Sequence, residues 1–452
     1  MDQAVLRCAQ ARAPRYTSYP TAAQFGPEVG SDTAAGWLSA IPEGEAVSLY
    51  LHVPFCAQIC WYCACNMKLG RRPEPLLAYA DDLRAEIALV AAALGRRQRV
   101  VRVHWGGGTP TSLPFAAIEA IMAEVRARFD LAPDAEIAFE LDPRNVPEGL
   151  PRRLAALGVG RVSLGVQEFD PKVQAAVNRI QPYDIVARVV ETLRGAGIEA
   201  INFDLIYGLP HQSVETISET IRLTLGLAPS RIALFGYAHV PWMAKRQRML
   251  PEQALPGAEE RFAQATRAAD MLVEGGYRRI GLDHFARPGD GLTRAAEEGR
   301  LVRNFQGYTD DPVETVIGMG ATAISALPEG YHQNISETGA WARVVRGGRL
   351  PVARGVALTP EDRLRRAVIL ELMCAMEVDL GDLCAAHGRA PGALDAELAA
   401  CLGFVEDGLA RIEDRRLSVT ERGRPALRVI AAAFDAHLAA AQATGPRHAV
   451  AV

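Results

Sequence analysis

Residues 50–66 read Tyr-Leu-His-Val-Pro-Phe-Cys-Ala-Gln-Ile-Cys-Trp-Tyr-Cys-Ala-Cys-Asn and hold four of the eight cysteines of the chain. The four are Cys56, Cys60, Cys63 and Cys65. An apolar, strand-like run over 47–53 precedes them, and Pro54 ends it because proline has no amide proton for a ladder. A helix is predicted to begin near Pro73. A dense group of cysteines on a loop after a buried strand indicates a ligand site.

The bulk properties are those of an ordinary globular protein. The 452 residues are 49% apolar and 23% charged, with a net charge of -4 and a pI of about 6.2. A nucleic-acid-binding protein would need a clustered basic surface. No apolar run reaches the roughly 18 residues that span a bilayer, and residues 1–20 lack the apolar middle of a signal peptide. We therefore expect a cytoplasmic protein without nucleic-acid binding or stable membrane insertion, with reduced cysteines that bind metal or act in catalysis.

Apolar, β-branched runs alternate with amphipathic helical stretches between residues 47 and 237. Strands are predicted at 47–53, 99–104, 136–141, 160–165, 199–205 and 231–237. Helices are predicted between them at 73–95, 115–129, 147–157, 182–196 and 213–227. This alternation predicts parallel, right-handed βαβ units. An open twisted sheet and a partial or full (β/α) barrel both fit it, and in either the chemistry gathers at the carboxyl ends of the strands.

Every predicted strand ends in polar or glycine-rich residues. In chain order these ends are the cysteines, Gly106-Gly107-Gly108-Thr109, residues 140–144, Gln167, Asp204 and His239. Glycine lets backbone approach a ligand closely, because it has no Cβ. Glu140 and Arg179 offer opposite charges to a zwitterion, although either would fit a surface ion pair equally well. The pattern indicates one site built from several strand ends.

The last hundred residues have a different pattern. Helices are predicted at 360–375, 379–387, 391–408 and 420–441, around a hairpin-like run at 409–419. This arrangement resembles a winged-helix module, for which a packing or lid role fits better than DNA binding, because basic residues do not cluster on its recognition helix. We predict three parts: 1–46 as an extension that contributes to the active site, 47–350 as the barrel and its extension, and 351–452 as a C-terminal helical domain.

The cysteine spacing favours an iron–sulfur cluster over zinc. Structural zinc usually takes two separated pairs of ligands, and a second distant pair is absent from the sequence. Cys63 and Cys65 are too close in sequence to fit easily into one tetrahedron. Iron–sulfur clusters normally take four thiolates. Three cysteines would therefore leave one iron open to another ligand.

The motif Cys56-x3-Cys60-x2-Cys63 resembles the signature of radical S-adenosylmethionine enzymes. Nearly the whole chain is similar to the oxygen-independent coproporphyrinogen III oxidases, the coproporphyrinogen dehydrogenases of the HemN type. The motifs that carry the resemblance are Pro-Arg-Tyr-Thr-Ser-Tyr-Pro-Thr at 14–21, Cys65, Gly-Gly-Gly-Thr-Pro at 106–110, Asp-Leu-Ile-Tyr-Gly-Leu-Pro at 204–210, Tyr-Ala-His-Val-Pro at 237–241, Asp-His-Phe-Ala-Arg-Pro at 283–288 and Arg-Asn-Phe-Gln-Gly-Tyr at 303–308. We predict an α/β fold: a partial (β/α)6 TIM-like barrel of parallel strands, with a mostly helical C-terminal domain and a small winged-helix-like hairpin.

The resemblance implies that Cys56, Cys60 and Cys63 bind three irons of a 4Fe–4S cluster, and that S-adenosylmethionine chelates the fourth. The family binds two S-adenosylmethionine molecules, and the positions that line them match Tyr50, Tyr62, Gly107, Gly108, Thr109, Glu140, Gln167, Arg179, Asp204, Ala238 and Ile324. Cys65 would not be a ligand, and with Tyr50 it is a candidate catalytic residue. The candidates for binding substrate propionates are Arg15, Arg287 and Arg303.

The implied reaction is an oxidative decarboxylation. One electron reduces the cluster, S-adenosylmethionine is cleaved to methionine and a 5′-deoxyadenosyl radical, and the radical removes hydrogen from the β-carbon of a propionate. Carbon dioxide leaves, an external acceptor takes an electron, and a vinyl group remains. Two rounds convert coproporphyrinogen III to protoporphyrinogen IX in haem biosynthesis. The expected partner of the monomeric enzyme is a small electron-donor protein such as flavodoxin or ferredoxin.

Two alternatives stay open at this stage. A haem chaperone of the HemW type shares the three cysteines, but such proteins generally lack the N-terminal motif and the fourth cysteine. They also carry a histidine-containing haem motif ahead of the C-terminal domain, which we do not find in this sequence. The second alternative is a radical S-adenosylmethionine enzyme that acts on another tetrapyrrole.

Overall fold

The computed structural model describes residues 3–438, which contain nineteen strands and sixteen α-helices. The strands are β1 (Ala46–Val53), β2 (Phe55–Cys56), β3 (Lys68–Leu69), β4 (Arg99–Gly107), β5 (Asp130–Leu141), β6 (Val159–Gln167), β7 (Ala200–Tyr207), β8 (Arg231–Gly236), β9 (Arg278–Ile280), β10 (His284–Ala286), β11 (Val302–Asn304), β12 (Gly307–Thr309), β13 (Val316–Met319), β14 (Ile324–Leu327), β15 (Gly330–Asn334), β16 (Val352–Ala357), β17 (Glu377–Asp379), β18 (Ala410–Glu413) and β19 (Arg416–Val419). The helices are α1 (Gln3–Gln10), α2 (Ser31–Ala40), α3 (Pro73–Leu94), α4 (Phe115–Arg128), α5 (Leu150–Ala156), α6 (Pro171–Ala176), α7 (Tyr183–Gly195), α8 (Val214–Leu227), α9 (Ala258–Glu274), α10 (Gly291–Glu297), α11 (Thr338–Arg346), α12 (Pro360–Ala375), α13 (Leu380–Ala386), α14 (Asp395–Ala400), α15 (Leu402–Glu406) and α16 (Leu427–Ala431).

Twelve of these strands form one sheet, in the order β16-β15-β14-β13-β1-β4-β5-β6-β7-β8-β10-β9. The seven strands from β13 to β8 are parallel. Antiparallel strands extend both sides, so the barrel stays partial. The predicted α/β, TIM-like fold with a helical C-terminal region is confirmed, and all six predicted strands are present. The seventh parallel strand, β13, was not predicted.

Strand alternation gives the sheet one apolar and one polar face. Leu49 and Leu51 of β1 are buried in the main core against helical residues such as Leu83 of α3. Their neighbours in β1, Tyr50 and His52, point to the other face, because successive side chains alternate along a strand. The apolar face is therefore covered by helices, and the polar face is left for the site.

Helix boundaries follow local signals. Pro73 lies in the first turn of α3, where its missing N–H costs nothing, and Gly95 caps the helix with φ of 70°. Ser213 and Thr216 form a reciprocal capping box at the start of α8. Within residues 3–438, no helix is both long and apolar enough to cross a bilayer.

Ion pairs link the polar sheet face near the amino ends of the strands. Arg231 at the start of β8 binds Asp290 at 2.6 Å and Asp310 at 2.8 Å. Asp310 also binds Arg102 of β4, at 3.0 Å. These largely buried pairs tie four segments together at the end away from the cysteines.

The N-terminal segment packs into the C-terminal region. Val5, Tyr16 and Tyr19 are buried in one core with residues of α12, α13 and α16. The phenol of Tyr16 donates to Asp435 at 3.0 Å. This contact connects the predicted N-terminal extension to the predicted C-terminal domain.

The C-terminal helices differ from the prediction in two places. The stretch predicted as a helix at 391–408 is divided into α14 and α15. The predicted helix at 420–441 is wrong: its described part contains only the five-residue α16 and two short 3₁₀ turns, and residues 439–441 lie outside the described residues. Pro425 contributes to this difference, because in the interior of a helix it has no amide proton for the backbone hydrogen bond and its ring clashes with the preceding turn.

Candidate active site

The cysteine loop opens onto a cavity of about 190 Å³ at the carboxyl ends of the parallel strands. Twelve of the predicted site residues line it: Cys56, Cys60, Tyr62, Cys63, Cys65, Gly107, Gly108, Thr109, Glu140, Gln167, Arg179 and Asp204. They come from the loop after β1 and from the ends of β4, β5, β6 and β7, together with the segment after α6. The parallel arrangement of the strands therefore brings together residues that are up to 148 positions apart.

The cysteine sulfurs face hydrogen-bond donors. Sγ of Cys60 accepts from Nη1 of Arg179 at 3.3 Å and from Nη2 of Arg144 at 3.4 Å. Sγ of Cys63 accepts from the backbone N–H of Cys65 at 3.4 Å. Hydrogen bonds from Cys65, first from its side chain, lower the pKa of Cys63 to about 6, whereas burial raises the pKa of Cys56 to about 11. Donors around sulfur favour the thiolate form that iron binds.

The residues present fit an iron–sulfur cluster. The structure describes all eight cysteines as free thiols, and three of them carry the spacing that leaves one iron open. Within residues 3–438, no group of three or more His, Cys, Asp or Glu side chains is gathered as if around one metal ion. A cluster binds its cysteines through different irons, so its ligands surround the group and do not converge on one point.

Glu140 connects β5 to the glycine loop after β4. Its Oε2 accepts the backbone N–H of Gly107 at 3.1 Å, and its Oε1 contacts Nε2 of His104 at 3.2 Å. The φ of Gly107 is 112°, and a Cβ there would lie 2.6 Å from the ring of His52. A Cβ on Gly108 would lie 2.6 Å from the carbonyl oxygen of Phe55. At Gly106, too, a Cβ would lie only 2.7 Å from Glu140, so all three glycines pack too closely against the chain itself to carry a side chain, and their close approach to a ligand stays a prediction.

Arg179 is buried and sits between the cysteine loop and the ends of two strands. It donates to the carbonyl oxygen of Gly165 and forms an ion pair with Asp142 at 3.4 Å. Burial lowers the pKa of Arg179, but Tyr62, Asp142 and Cys60 outweigh it, and the pKa is raised overall. Its Nε has no hydrogen-bond partner within residues 3–438. A charged guanidinium with a spare donor suits the carboxylate of a zwitterion.

Asp204 supplies the opposite charge on the neighbouring strand. Its Oδ1 accepts from Asn202 at 2.9 Å and its Oδ2 accepts from Ser163 at 3.1 Å. Burial, and after it the charge of Glu140, raises the pKa of Asp204 to about 6. Gln167 ends β6 with φ of 68°, in a conformation that few residues other than glycine adopt. Such backbone strain concentrates at functional sites.

Tyr50 and Ile324 are not among the residues that line the cavity. The phenol of Tyr50 is 2.9 Å from Nδ1 of His52, and a Cβ on Gly106 would meet both Glu140 and the Tyr50 ring. Ile324, at the start of β14, packs with Tyr50 against a small core. Burial raises the pKa of Tyr50 well above its ordinary value and lowers that of His52 to about 4.

A second cavity, of about 410 Å³, is lined by Ala238 and Arg15. Arg15 donates from Nη2 to the carbonyl oxygen of Gly236 at 3.0 Å. The carbonyl oxygen of Arg15 in turn accepts from Arg303, whose Nη2 is 3.1 Å away. Arg303 is buried, stacks over Tyr308 and lies 3.8 Å from Asp283. Arg303 does not line the second cavity itself, but it holds the backbone of Arg15 and pairs with Asp283, and both of these residues line it.

The prediction for Arg287 is not supported by its position. Strand β10 runs antiparallel to β8, with Ala286 opposite Arg231, the first residue of β8. The backbone N–H of Arg287 donates to Ser230, and its guanidinium lies over Tyr277. Arg287 is therefore at the amino end of the parallel strands, on the side of the sheet away from the cysteines.

Several residues of the cavity were not among the candidate site residues predicted from the sequence. Asp142, Arg144, Ser163 and Gly165 all line the cavity of the cysteine loop. Asp142 and Arg144 follow the third predicted strand directly, close to Glu140 in the sequence. Their position at a strand end therefore indicated that they belong to the site. Ser163 and Gly165 share the parity of Gln167 on β6, and alternation along that strand would have found them.

The site combines three cysteines with side chains of both charges, which suit a zwitterion, at the strand ends of a partial barrel. Such a site is that of a radical S-adenosylmethionine protein. The radical SAM superfamily model matches residues 50–224, and the HemN C-terminal domain model matches residues 358–426. The superfamily implies a 4Fe–4S cluster and S-adenosylmethionine as cofactors.

The chain belongs to the family of oxygen-independent coproporphyrinogen III oxidases. It is 50% identical to the protein of that name from Bradyrhizobium diazoefficiens, over 94% of this chain and 95% of the relative. It is 45% identical to that from Paracoccus denitrificans, over 94% of each chain. The solved structure of coproporphyrinogen III oxidase (HemN) from Escherichia coli, described as a radical SAM enzyme, superposes with a TM-score of 0.90 at 36% identity, over 94% of this chain and 97% of that one.

Proposed function

We propose that this protein decarboxylates two propionate side chains of coproporphyrinogen III to vinyl groups without oxygen and so produces protoporphyrinogen IX. The observation that carries the proposal is the cavity in which Cys56, Cys60 and Cys63 face Arg179 and Asp204. The names of relatives at 50% and 45% identity over nearly the full chain support the substrate.

The residues that line the cavity have different proposed roles. Cys56, Cys60 and Cys63 would hold the cluster, while Arg179 and Asp204 would bind the carboxylate and a donor group of S-adenosylmethionine. When bound, the two cofactors supply a carbon-centred radical that removes a hydrogen atom from the substrate. Gly107 and Gly108 bring backbone close to the ligand, and Glu140 fixes the loop that carries them. The rings of Tyr50 and His52 pack against Gly106 and Gly107 and would help to exclude water from this side of the cavity.

We propose two S-adenosylmethionine sites. The predicted contact residues do not all line one cavity: most line the smaller cavity, whereas Ala238 lines the larger one. Equilibrium dialysis of the cluster-loaded protein with radiolabelled S-adenosylmethionine should reach two molecules per chain. A plateau at one would contradict this part of the proposal.

Arg15 is our candidate for binding a substrate propionate. It lines the larger cavity, and Arg303 holds its backbone in place. Arg15→Gln should raise KM for coproporphyrinogen III about tenfold, the loss of one charge-assisted contact. The Kd for S-adenosylmethionine should stay unchanged. An unchanged KM would remove Arg15 from the substrate site.

The protein is proposed to act as a cytoplasmic monomer that receives electrons from a small donor protein. Eight free thiols support a reducing compartment. Light scattering after size exclusion would test the monomer, and a mass of two chains would contradict it.

The decisive experiment is anaerobic. The cluster is reconstituted, reductant and S-adenosylmethionine are added, and coproporphyrinogen III is followed by mass spectrometry. We expect loss of two carbon dioxide molecules and formation of 5′-deoxyadenosine. Formation of 5′-deoxyadenosine without carbon dioxide would indicate a different tetrapyrrole substrate. Tight haem binding without either product would indicate a haem chaperone.

A further inference from the structure

The segments around the cysteine loop expose apolar and cationic side chains together. Ile180, Met243 and Met249 are 58%, 69% and 61% exposed, which is unusual for such large apolar residues. Three exposed cations, Lys172, Lys245 and Arg248, come from the same segments. None of these three cations forms an ion pair with a carboxylate in the part of the chain that the structure describes. We call these six residues the loop-side surface.

The loop-side surface is built on the same small core as the cysteine loop. Val173 and Val177 of the α6 region and Leu250 pack in one cluster with Trp61 and Tyr62. This shared core makes the two segments and the loop one continuous piece of the protein.

Hydrogen bonds hold the loop from both segments. The side chain of Asn178 donates to the carbonyl oxygen of Ile59 at 2.7 Å, and that of Gln247 donates to the carbonyl oxygen of Tyr62 at 2.8 Å. A molecule bound to this surface therefore lies against the loop that carries the cysteines.

The charge of these segments is one-sided. The ranges 57–72, 171–181 and 240–251 contain no Asp or Glu, although 53 of the 452 residues are acidic and the net charge of the chain is -4. The segments that meet at the loop are therefore positive in a protein that is negative overall. Such a patch steers an acidic partner to one place and repels basic ones.

We propose that the loop-side surface docks a small acidic electron-carrier protein that holds a flavin or an iron–sulfur group. The inference rests on the proposed function, in which one electron must enter from outside for each radical event. The carrier is oxidised by one electron and the cluster is reduced by one. The cations orient the acidic carrier and speed its association with the surface, and the methionines provide an adaptable apolar contact.

The test is a charge reversal with a matched control on the cluster-loaded, full-length protein. The first variant carries Lys172→Glu, Lys245→Glu and Arg248→Glu. The control carries Arg152→Glu, Arg188→Glu and Arg349→Glu, three exposed arginines outside these segments whose side chains form no ion pair within residues 3–438. Both variants change the net charge equally. Reduced flavodoxin serves as the docking donor, and excess dithionite as the donor that needs no docking.

We expect the first variant to show at least a tenfold higher KM for flavodoxin at low salt and an unchanged rate of 5′-deoxyadenosine formation with dithionite. The control should match the native protein with both donors. Added salt should reduce the difference, because it screens exposed charges. A separate pair, Met243→Gln and Met249→Gln, should weaken flavodoxin binding even at high salt.

Three results would overturn the docking proposal. Equal KM values for both triple variants would remove the surface from electron transfer. If the first variant alone lost the ability to form a dimer, the surface would be assigned to a second copy of the chain. If it alone lost binding to phosphatidylglycerol vesicles, the surface would be assigned to a membrane. If the native protein fails to act on coproporphyrinogen III with dithionite, the proposed function is contradicted instead. Failure of the docking proposal and failure of the proposed function can thus be told apart.

Discussion

The backbone N–H of Gly107 donates to Oε2 of Glu140 across an N···O distance of 3.1 Å. This bond joins the end of β4 to the end of β5 at the point where the cavity begins. On its other side, Gly107 lies against the ring of His52 of β1. Three neighbouring strands are thus held in register around one residue without a side chain, and the shape of the cavity floor depends on it.

Gly107→Ala should damage both the fold and the cofactor site. A positive φ costs a residue with a Cβ about 1–2 kcal/mol, and a Cβ at this position would also lie 2.6 Å from the His52 ring. Gly149→Ala is the control, because Gly149 has φ of 82° but nothing within 4 Å of its Cβ position. Denaturant unfolding should show Gly107→Ala to be the less stable by about 1–3 kcal/mol, and its Kd for S-adenosylmethionine should rise more than tenfold. Equal behaviour of the two variants would show that close packing at Gly107 is unimportant.

Cys63→Ser and Cys65→Ala should differ in iron content. Cys63 is one of the three proposed ligands. Cys65 contacts Cys63 through its backbone N–H, which alanine retains, and through its side chain, which alanine lacks and which is not needed to hold iron if Cys65 is not a ligand. After anaerobic reconstitution, we expect Cys65→Ala to keep the iron and sulfide content of the native protein and Cys63→Ser to lose most of both. Chemical iron analysis and electron paramagnetic resonance of the reduced protein measure this directly. Loss of iron in Cys65→Ala would make Cys65 a ligand.

Arg179→Lys should weaken S-adenosylmethionine binding although the charge is kept. The guanidinium of Arg179 reaches Cys60, Gly165 and Asp142 at once, and a single ammonium cannot replace that fork. We expect a rise in Kd of about tenfold and a loss of stability of about 2 kcal/mol.

The control for this variant is Arg346→Lys. Arg346 also forms a two-point contact, with Asp82, but its side chain is 62% exposed. Exposed pairs contribute little, so stability should change by less than about 1 kcal/mol. A Kd for S-adenosylmethionine that is the same in Arg179→Lys and native protein would exclude Arg179 from the cofactor site.

Glu86 should make the protein less stable as the pH rises towards neutrality. It is fully buried in α3 and accepts from Gly320 at 2.8 Å, Asn334 at 2.6 Å and Trp341 at 3.0 Å. Burial raises its pKa from 4.5 to about 7 in spite of these bonds. The folded state therefore holds a proton that the unfolded state has lost between pH 4.5 and 7. The stability due to this proton is complete below about pH 4.5 and is lost as the pH rises through about 7.

Glu86→Gln removes this titration. Urea unfolding at several pH values from 5 to 8 should give a flatter dependence of the free energy of unfolding on pH, with a difference in slope of up to about 1.4 kcal/mol per pH unit. Glu297→Gln, at an exposed site, should follow the native curve. Parallel curves for Glu86→Gln and native protein would show that Glu86 is ionised throughout this range.

Much of the parallel sheet was predictable because its signals are local. Each of the six predicted strands is a short stretch rich in apolar residues, and the stretch from Val47 to Val53, which Pro54 ends, illustrates it. Strand β13 was not predicted because it has only four residues, Val316–Met319. It also pairs with β1, which lies more than 250 positions earlier in the chain. A short run carries too little periodicity to identify, and its partner is fixed by packing alone.

Site residues near the end of a parallel strand could be predicted from the sequence. Residues whose position depends on whether their strand runs parallel or antiparallel to its neighbour could not. Glu140 and Gln167 lie at the carboxyl ends of β5 and β6, Asp204 lies in the carboxyl half of β7, and all three line one cavity. Arg287 ends β10 in the same way, but β10 is antiparallel to β8, and its end lies at the opposite edge. Direction depends on how a segment returns to the sheet, which its own residues do not encode.

The amino-acid sequence by itself determined three features: the spacing of Cys56, Cys60 and Cys63, the glycines at the end of β4, and the alternation that makes a parallel sheet. These are properties of neighbouring residues, governed by covalent spacing and backbone sterics. Only the tertiary structure decided that Arg179 reaches Cys60, that Arg303 holds Arg15, and that residues 171–181 and 240–251 meet at the cysteine loop. Those contacts join segments more than a hundred positions apart, and they form because burying the shared apolar core brings the segments together.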